Sequence, residues 1–460
     1  MNLERLIAAL GPGQVVHGPQ GDAAPIEIRD LAYDTRRLVP GALFFCVRGR
    51  TADGHELAEE AASRGAAALV VERPLELAVP QLVVADARAA MPIAAVTFFG
   101  DPSRALDVAA VTGTNGKTTT AFLLHSIFRA AGTPTGLLTN IERRVGGETR
   151  PTGLNTPEAI DLQRLLREMV DAGDRAAVLE ATSEAQAQGR LEGTRFAVLV
   201  FTNLTQDHLN FHGTMEAYFE AKAALFAQAD RAVVNVGDEW GVKLAARLPE
   251  ALTFDASTDV LDGIDLKLRG AFNRENAIGA ALAAGALGID RDSIRRGIES
   301  VAGVAGRFES IDAGQPFTVV VDYAHTPDSL ENVIRTAREL GNGRLTVVFG
   351  AGGDRDRGKR PLMGQVVAGL ADRGIVTSDN PRSEDPAAIA ADVEAGAPGG
   401  LEIELDRRAA IDLALSGAAP GDVVVIAGRG AEPAQELATG KVPFDDREVA
   451  RDALQRTMRT

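Results

Sequence analysis

The sequence predicts an α/β protein of more than one domain, in which helices and sheets form layers. Short apolar runs alternate with longer helical patterns through most of the chain, as expected for such layers. Three of the runs end directly in polar or glycine-rich clusters, and ligands of open α/β sheets lie at the carboxyl ends of strands. Because 460 residues exceed what one hydrophobic core supports, we expect two to four domains.

Strands and domain boundaries are assigned from the composition along the chain. The apolar runs that we predict as strands cover residues 67–72, 82–85, 108–112, 176–180, 197–202, 318–322, 345–350 and 423–427. A Gly-Asp-Pro-Ser cluster ends a first domain near residue 103, and a glycine-containing segment at 303–306 begins the last one. We therefore predict domains over residues 1–103, 104–304 and 305–460, with a surface loop at 394–400.

Composition and charge restrict the class of ligand. With 45% hydrophobic and 24% charged residues, the chain has the composition of an ordinary soluble globular protein. Its 48 basic residues are outnumbered by 64 acidic ones, which argues against a broad nucleic-acid-binding surface. Anionic substrates would therefore have to be bound by local backbone amides and a few Arg or Lys side chains.

The cysteine count and the hydropathy pattern indicate the compartment. The single cysteine, Cys46, cannot form an internal disulfide, and it lies in an apolar run, so we expect a small buried side chain in a reducing compartment. Charged residues stand where a signal peptide has its apolar stretch, and no run approaches the roughly 18 apolar residues of a membrane-spanning helix. These features predict a cytoplasmic protein without a membrane segment.

The strongest local signal is a phosphate loop, which follows an apolar strand and opens an amphipathic helix. Its residues are Gly113, Thr114, Asn115, Gly116, Lys117, Thr118 and Thr119. Backbone N–H groups and the helix N-terminus would face an anion, Lys117 would add positive charge, and the Thr118 hydroxyl could hold Mg²⁺. The alternative is an ordinary glycine-rich turn, but the flanking strand and helix favour the phosphate loop.

With valine at 111, where the usual P-loop pattern has glycine, this loop resembles the shortened loop of the Mur ligase and folylpolyglutamate synthetase superfamily. The resemblance continues in the same order over nearly the whole chain. Its further landmarks lie at residues 202–212, 222, 270–276, 306–309 and 322–327. It implies a three-domain Mur ligase architecture, with a central P-loop ATPase-like domain and a Rossmann-like C-terminal domain. The activity it implies is an ATP-dependent ligation that forms an amide bond.

The resemblance also implies a metal site and a set of catalytic groups. The residues that match the family's Mg²⁺ site are Thr118, Glu180, His208 and Lys222, with the lysine carbamylated. The implied catalytic residues are Lys117, Lys222, His208 and Arg307. From residue type alone, a lone histidine is more often hydrogen-bonded within the protein, and a helical lysine such as Lys222 is more often solvated.

The nucleotide contacts follow from the same matches. Asn273 and Asn276 match the family's adenine-contacting segment, and Arg307 matches the arginine that reaches the phosphates. Asp322 and His325 match contacts to the ribose and adenine. From residue type alone, the two asparagines could instead be helix caps.

Two charged segments near the C-terminus resemble the amino-acid pocket of the family's diaminopimelate-using members. The matching residues are Arg355, Asp379, Asn380, Pro381, Arg382, Gly428 and Glu432. A planar guanidinium grips a carboxylate in a bidentate manner, so Arg382 would recognise the distal carboxylate that distinguishes diaminopimelate from lysine, while Glu432 would hold an ammonium group. The alternatives are a charged surface turn at 350–361 and an Asx turn at 378–382.

The UDP-linked substrate is assigned by resemblance as well. The matching positions are Thr35, Arg50, Thr51, Ala52, Asn155, Thr156, Thr182, Gln188 and Arg190. Two departures from the family pattern are Glu184 and Ala431, which stand where the family usually has histidines.

Taken as a whole, the resemblance implies that ATP phosphorylates the D-glutamate carboxylate of UDP-N-acetylmuramoyl-L-alanyl-D-glutamate, and that diaminopimelate attacks the resulting acyl phosphate. Such an enzyme takes part in peptidoglycan precursor synthesis. One alternative is a lysine-adding or folylpolyglutamate synthetase-like ligase, which Arg382 and the long N-terminal part disfavour. Another is a non-catalytic homologue that binds nucleotide or muramyl peptide, suggested by the two missing histidines. The sequence leaves open the stereoisomer of diaminopimelate, the oligomeric state and the turnover.

Overall fold

A computed structural model of the chain describes residues 1–11, 14–16, 25–49 and 52–457. The chain divides into two compact units, each made of several segments. The first comprises Met1–Ala110, Thr133–Leu199 and Ala221–Arg231, and the second comprises Val111–Gly132, Val200–Glu220 and Ala232–Thr460. The division into three domains at residues 103 and 304 stays a prediction.

Helices and strands alternate along the chain, which confirms the α/β prediction. The α-helices are α1 (Leu3–Leu10), α2 (Ala58–Ser63), α3 (Ala87–Phe99), α4 (Lys117–Ala130), α5 (Ala159–Asp171), α6 (Ser183–Ala187), α7 (Leu209–His212), α8 (Met215–Ala223), α9 (Glu239–Arg247), α10 (Ala271–Ala286), α11 (Arg291–Glu299), α12 (Pro327–Arg338), α13 (Lys359–Leu370), α14 (Pro386–Glu394), α15 (Arg407–Ser416) and α16 (Asp446–Thr457). The strands are β1 (Gln14–Val16), β2 (Asp30–Ala32), β3 (Ala42–Phe45), β4 (Ala68–Val71), β5 (Gln81–Val83), β6 (Asp107–Thr112), β7 (Thr135–Leu138), β8 (Arg143–Val145), β9 (Glu148–Arg150), β10 (Ala176–Glu180), β11 (Val198–Phe201), β12 (Ala232–Asn235), β13 (Leu252–Phe254), β14 (Glu309–Ser310), β15 (Thr318–Asp322), β16 (Leu345–Phe349), β17 (Arg373–Val376), β18 (Glu402–Ile403), β19 (Val423–Ala427), β20 (Ala434–Leu437) and β21 (Gly440–Pro443). Short 3₁₀ helices lie at Thr35–Arg37, Gly54–Leu57, Pro102–Arg104 and Ala224–Gln228.

The first unit begins with a five-stranded sheet in the order β1-β5-β4-β3-β2. Its strands run parallel except at the antiparallel pair β1 and β5. Leu43 and Phe45 pack into the core on one face, while Phe44 and Cys46 pack into the core on the other. Because both faces are covered, β3 is a continuous apolar run rather than an alternating one. The burial of Cys46 confirms the prediction of a small buried side chain at this position.

The position of the end of β10 is set by its pairing with other strands of the first unit. This strand runs parallel to β7, and β7, β8 and β9 form an antiparallel series. All five residues of β10 are buried. Its last residue, Glu180, therefore leaves the sheet directly into the polar segment that follows.

The second unit contains a six-stranded sheet in the order β14-β15-β19-β16-β17-β18, and all its pairs are parallel except β14 with β15. Val347 and Phe349 face one core cluster and Val348 faces the other. Since parallel strands end at the same edge, the loops after β15, β16, β17 and β19 meet there. The loops after β16, β17 and β19 carry the amino-acid-binding residues that the resemblance implies, and the loop after β15, with the last residue of that strand, carries two of the implied nucleotide-binding residues.

The predicted strands at 176–180, 318–322 and 423–427 have the observed bounds, and the other predicted strands agree to within two residues. The predicted loop at 394–400 follows the end of α14. Across the described ranges, none of the helices is both long and apolar enough to span a membrane.

Candidate active site

The phosphate loop joins β6 to α4, as its sequence predicts. Gly113 and Gly116 have φ values of 146° and 86°, a region that glycine adopts without steric cost. A Cβ atom at Gly113 would overlap the Thr202 hydroxyl, and one at Gly116 would overlap the amide oxygen of Asn276. Both glycines are therefore required by close packing as well as by backbone conformation.

Within this loop, Lys117 folds back over the backbone. Its Nζ atom donates to the carbonyl oxygens of Gly113 at 3.1 Å and Thr114 at 2.8 Å. The Thr118 hydroxyl accepts a 2.7 Å hydrogen bond from Nη2 of Arg307. The structure thus brings together the loop and the arginine that the resemblance assigned to the nucleotide phosphates.

The two asparagines assigned to adenine lie near this loop. Asn273 and Asn276 are buried inside α10, and the residue at the N-cap is Gly270, so the helix-cap alternative is wrong. Asn276 donates to Asn273 at 3.2 Å, and Thr120 donates to Asn276 at 3.4 Å. These contacts fix the amide of Asn276 against the start of α4.

The loop after β15 carries Asp322 and His325. The buried carboxylate of Asp322 accepts backbone hydrogen bonds from Phe308 at 2.6 Å and Ala324 at 2.7 Å, and burial raises its pKa. These bonds hold the backbone directly after Arg307 and directly before His325. Asp322 therefore fixes the conformation of the loop, and its contact with a ribose stays a prediction.

The buried carboxylate of Asp207, the residue before His208, contacts three basic side chains. Asp207 lies 2.9 Å from Nζ of Lys359, 3.3 Å from Nε2 of His208 and 3.6 Å from Nε2 of His325. Burial on its own would raise the pKa of Asp207, but Lys359 and the two imidazoles outweigh it and hold the pKa well below its usual value. His208 itself has a positive φ of 56°. The anion at 207 thus fixes the orientation of both histidines.

Glu180 and Lys222, the other residues matched to the metal site, are each fully buried, with 1% of their surface exposed. Glu180 accepts a 3.2 Å hydrogen bond from the backbone N–H of Asn140. Lys222 lies near the end of α8. Because its side chain is buried there, the alternative of a solvated lysine is wrong. A buried lysine needs a compensating charge or a modification that removes its own charge.

Several residues assigned to the UDP-linked substrate form one hydrogen-bonded group in the first unit. The Thr156 hydroxyl donates to the Glu180 carbonyl at 2.8 Å and lies 3.0 Å from the Thr182 hydroxyl. Arg190 donates to the Thr156 carbonyl at 3.1 Å and to Gln188 at 2.6 Å. Thr156 therefore connects the end of β10 to Thr182 and to Arg190, which in turn binds Gln188.

The remaining residues of that assignment are placed separately. Thr35 is buried at the start of the 3₁₀ helix Thr35–Arg37, whereas Ala52 and Asn155 are exposed. A polar cavity beside Thr35 is lined by Asp30, Leu31, Ala32, Tyr33, Asp34, Arg37, Asp161 and Arg164. Arg50 and Thr51 lie outside the described residues.

The acidic residues assigned to the amino-acid pocket, Asp379 and Glu432, lie where the loops after β17 and β19 meet. Asn380 donates to Glu432 at 2.8 Å, and the backbone carbonyl of Asp379 accepts from Gln435 at 2.6 Å. Burial, followed by the neighbouring Asp379 carboxylate, raises the pKa of Glu432. Oδ2 of Asp379 is buried and has no hydrogen-bond partner among the residues that the structure describes. The two carboxylates therefore repel each other, and Nε of Arg429, which lies 3.8 Å from Oε2 of Glu432, offsets part of this repulsion.

The basic residues assigned to the same pocket are Arg355 and Arg382. Arg382 donates through Nε to Glu436 at 2.9 Å and through Nη1 to the Gly353 carbonyl at 2.7 Å. In the described part of the chain, its Nη2 has no partner. A Cβ atom at Gly352 would lie 3.1 Å from Nη1 of Arg382 and 3.5 Å from Cγ of Arg355, so both side chains pass the same glycine. The assigned residues therefore comprise the carboxylates of Asp379 and Glu432 and the guanidinium groups of Arg355 and Arg382.

Some charged residues near the site were not anticipated from the sequence. Lys359 and Arg360 at the start of α13 are buried, with 3% and 0% of their surface exposed, whereas Asp354 and Arg357 earlier in the segment are exposed, so the alternative of a charged surface turn is wrong only for the end of residues 350–361. Arg407 and Asp446 form a fully buried ion pair at 2.6 Å. The two residues of this pair are far apart in sequence. Only apolar neighbours around each charged residue in the sequence could have indicated that its side chain is buried.

Three segments of the chain match models of known protein families. Three family models match the chain: the Mur ligase family catalytic domain over 27–106, the Mur ligase middle domain over 111–262 and the Mur ligase glutamate ligase domain over 306–430. A UDP-N-acetylmuramoyl-L-alanyl-D-glutamate--2,6-diaminopimelate ligase of Geobacillus kaustophilus is 43% identical over 99% of both chains. The chain belongs to the Mur ligase family. A protein of the same name from Gloeobacter violaceus is 44% identical to this Mur ligase over 93% of this chain and 94% of its own.

Solved structures agree with that membership. A structure described as UDP-N-acetylmuramoyl-L-alanyl-D-glutamate--2,6-diaminopimelate ligase is 33% identical, covers 96% of this chain and 98% of its own, and has a TM-score of 0.63. MurF from Acinetobacter baumannii covers 100% of this chain and 99% of its own with a TM-score of 0.69, and at 20% identity it shows the fold alone. The expected Mur ligase architecture, with three Mur ligase domains, is therefore confirmed.

Proposed function

We propose that this Mur ligase joins 2,6-diaminopimelate to the D-glutamate carboxylate of UDP-N-acetylmuramoyl-L-alanyl-D-glutamate, with ATP as the energy source. The observation that carries the proposal is that Asn380 connects the assigned acidic and basic residues: its side chain donates to Glu432 at 2.8 Å, and its carbonyl accepts from Nη1 of Arg382 at 3.5 Å. Diaminopimelate presents a carboxylate and an ammonium group at its distal end, which suits such a pocket. The names of the relatives that are 43% and 44% identical support the same reaction.

The proposed chemistry uses an acyl phosphate. The γ-phosphoryl group of ATP passes to a carboxylate oxygen of the D-glutamate, and ADP leaves. The neutral amine of diaminopimelate then attacks the acyl carbon, the amide bond forms and the bond to the phosphate oxygen breaks. Inorganic phosphate leaves with the bonding electron pair, and the proton of the amine passes to solvent. Lys117 and Arg307 stabilise the charge that develops on the phosphoryl oxygens. The protein contributes mainly by holding the reacting groups in place and excluding water.

Mg²⁺ is proposed from the match to the family, with Thr118, Glu180, His208 and carbamylated Lys222 as the residues that would hold it. Hydroxyl and carboxylate oxygens suit this ion. Lys222 would hold the ion only as a carbamate, because an ammonium group has no lone pair for a metal ion whereas a carbamate offers oxygen atoms. When bound, the ion would supply positive charge to the phosphoryl oxygens.

The UDP-linked dipeptide is proposed to bind through the group at Thr156, Thr182, Gln188 and Arg190, together with Thr35, Arg50, Thr51, Ala52 and Asn155. Arg190 also pairs with Glu158 at 3.0 Å, which leaves its side chain fixed against the Thr156 backbone. A fixed guanidinium loses little conformational entropy when it binds an anionic substrate. The long first domain of the prediction would then serve the nucleotide end of this substrate.

The experiment is an assay of phosphate release by the purified enzyme. Release should require ATP, the UDP-linked dipeptide and diaminopimelate together, and the product should gain the mass of one diaminopimelate residue. Lysine in place of diaminopimelate should give a small fraction of the rate. A rate with lysine equal to that with diaminopimelate would favour the lysine-adding alternative, and the absence of any release would favour the non-catalytic one.

A further inference from the structure

The loops that carry the two basic residues of the amino-acid pocket are joined to each other directly. Residues 350–358 follow β16 and carry Arg355, and residues 379–384 follow β17 and carry Arg382. We call these the first and second pocket loops. The backbone N–H of Gly353 donates to the Asn380 carbonyl at 2.9 Å, and Nη1 of Arg382 donates back to the Gly353 carbonyl at 2.7 Å. The position of each arginine thus depends on the other loop.

Glu384, at the end of the second pocket loop, is the main link to the first. It accepts the backbone N–H of Asp354 at 2.6 Å and Nη2 of Arg357 at 2.6 Å. It also accepts two nitrogens of Arg360, at 2.8 Å and 3.1 Å. One carboxylate therefore binds donors on both sides of Arg355 and lies two residues after Arg382.

Arg360 anchors this carboxylate from inside the domain. It is fully buried at the start of α13, and it also contacts Asp392 at 2.9 Å and the Gly352 carbonyl at 3.2 Å. A buried guanidinium with these partners has one geometry, because losing any of them leaves an unpaired charge away from water. Since α13 packs against the sheet, the anchor ties both loops to a rigid element.

Backbone conformation adds a second reason for this link. Asp354 and Arg382 both have positive φ values, 54° and 52°, which residues other than glycine adopt at a cost. Ser383 donates to the Asp354 carboxylate through its hydroxyl at 2.7 Å and its backbone N–H at 3.2 Å. Contacts to Glu384 and Ser383 therefore hold each loop in a conformation that it would not keep alone.

We propose that Glu384, anchored by Arg360, is a positioning residue that holds Arg355 and Arg382 for the carboxylates of the incoming amino acid. This inference rests on the proposed function and deepens it, because it names what sets the geometry of the specificity pocket. Glu384 does not contact the amino acid. Its loss should weaken binding of the amino acid and leave the nucleotide and UDP-substrate sites as they are.

The test compares Glu384→Gln with Glu402→Gln. Glu402 forms a bidentate pair with Arg373 at 2.8 Å and 2.7 Å in the same sheet, away from the pocket loops, so it controls for the loss of one acidic partner of an arginine. Glu384→Gln should raise the Michaelis constant for diaminopimelate about tenfold, which corresponds to about 1.4 kcal/mol. The constants for ATP and the UDP-linked dipeptide, and kcat, should stay within about twofold. Glu384→Asp, which keeps the charge but shortens the reach, should show an intermediate rise.

The result that overturns the inference is a diaminopimelate constant in Glu384→Gln equal to that of Glu402→Gln. A parallel rise in all three Michaelis constants with a lower Tm would also overturn it, because it would show a merely structural role. The proposed function fails separately, in the wild-type enzyme, if diaminopimelate does not support phosphate release. In that case the ratio of variant to wild type is measured with the amino acid that the wild-type enzyme does use, so the two failures remain distinct.

Discussion

Replacing Arg382 by alanine removes the group that we assign to the distal carboxylate of diaminopimelate. In the structure, Nε of Arg382 donates to Glu436 and Nη1 to the Gly353 carbonyl, so Nη2 is the nitrogen without a partner among the described residues and the one that we assign to the ligand. A charge-assisted hydrogen bond contributes about 1.5–3 kcal/mol. The Michaelis constant for diaminopimelate should therefore rise between about tenfold and about a hundredfold. We expect the lower part of this range, because Glu436 already shares the guanidinium.

The assay is steady-state kinetics with each of the three substrates varied in turn. The constants for ATP and the UDP-linked dipeptide should change little, and lysine should remain a poor substrate, since removing a cation does not create a pocket for an apolar stem. Arg335→Ala is the matched control, because Arg335 is exposed on α12 and pairs with Glu331 outside the pocket. An unchanged diaminopimelate constant in Arg382→Ala would refute the assignment. So would efficient use of lysine by the wild-type enzyme.

Three further predictions concern the nucleotide site, the metal site and the buried charges. Lys117→Ala should reduce phosphoryl transfer far more than binding of the UDP-linked dipeptide, and equal losses in both affinities with unchanged transfer would show that the phosphate loop is misassigned. Lys222→Ala should nearly abolish ligation while the circular dichroism spectrum stays native, and mass spectrometry of the wild type should detect the labile carbamate; near-full turnover at ordinary Mg²⁺ concentration would contradict this role. Asp207→Asn should destabilise the fold by about 3–5 kcal/mol in urea unfolding, because it leaves Lys359 buried without its anion, whereas Glu220→Gln in the exposed Arg247 pair should cost less than about 1 kcal/mol. A cost for Asp207→Asn no larger than that of Glu220→Gln would show that the pair is not effectively buried.

Much of the fold was predictable because strand patterns are local. The runs at 176–180, 318–322 and 423–427 are continuous and apolar, and both their type and their bounds were predicted. The phosphate loop was predictable for the same reason, since the strand, the glycines and the helix are adjacent in sequence. The loops that meet at the sheet edge could be expected from parallel topology, but not their mutual contacts.

The rest depends on contacts between residues distant in sequence. Lys222 was expected on residue type to be solvated, and its burial reflects packing that a helical stretch does not reveal. The pairs of Asp207 with Lys359 and of Arg360 with Glu384 join segments separated by many residues. A single sequence shows only that such charges exist, and the cost of burying them becomes visible when both partners are placed.

The most direct test of the central claim is a competition experiment with the wild-type enzyme. ATP, the UDP-linked dipeptide and equal concentrations of diaminopimelate and lysine are supplied together, and the UDP-linked products are separated by mass. The proposed assignment of Arg382, Asp379 and Glu432 to the amino-acid pocket predicts that nearly all product carries diaminopimelate, with one phosphate released for each amide formed. Product that carries mainly lysine, or phosphate release without an amide product, would contradict it.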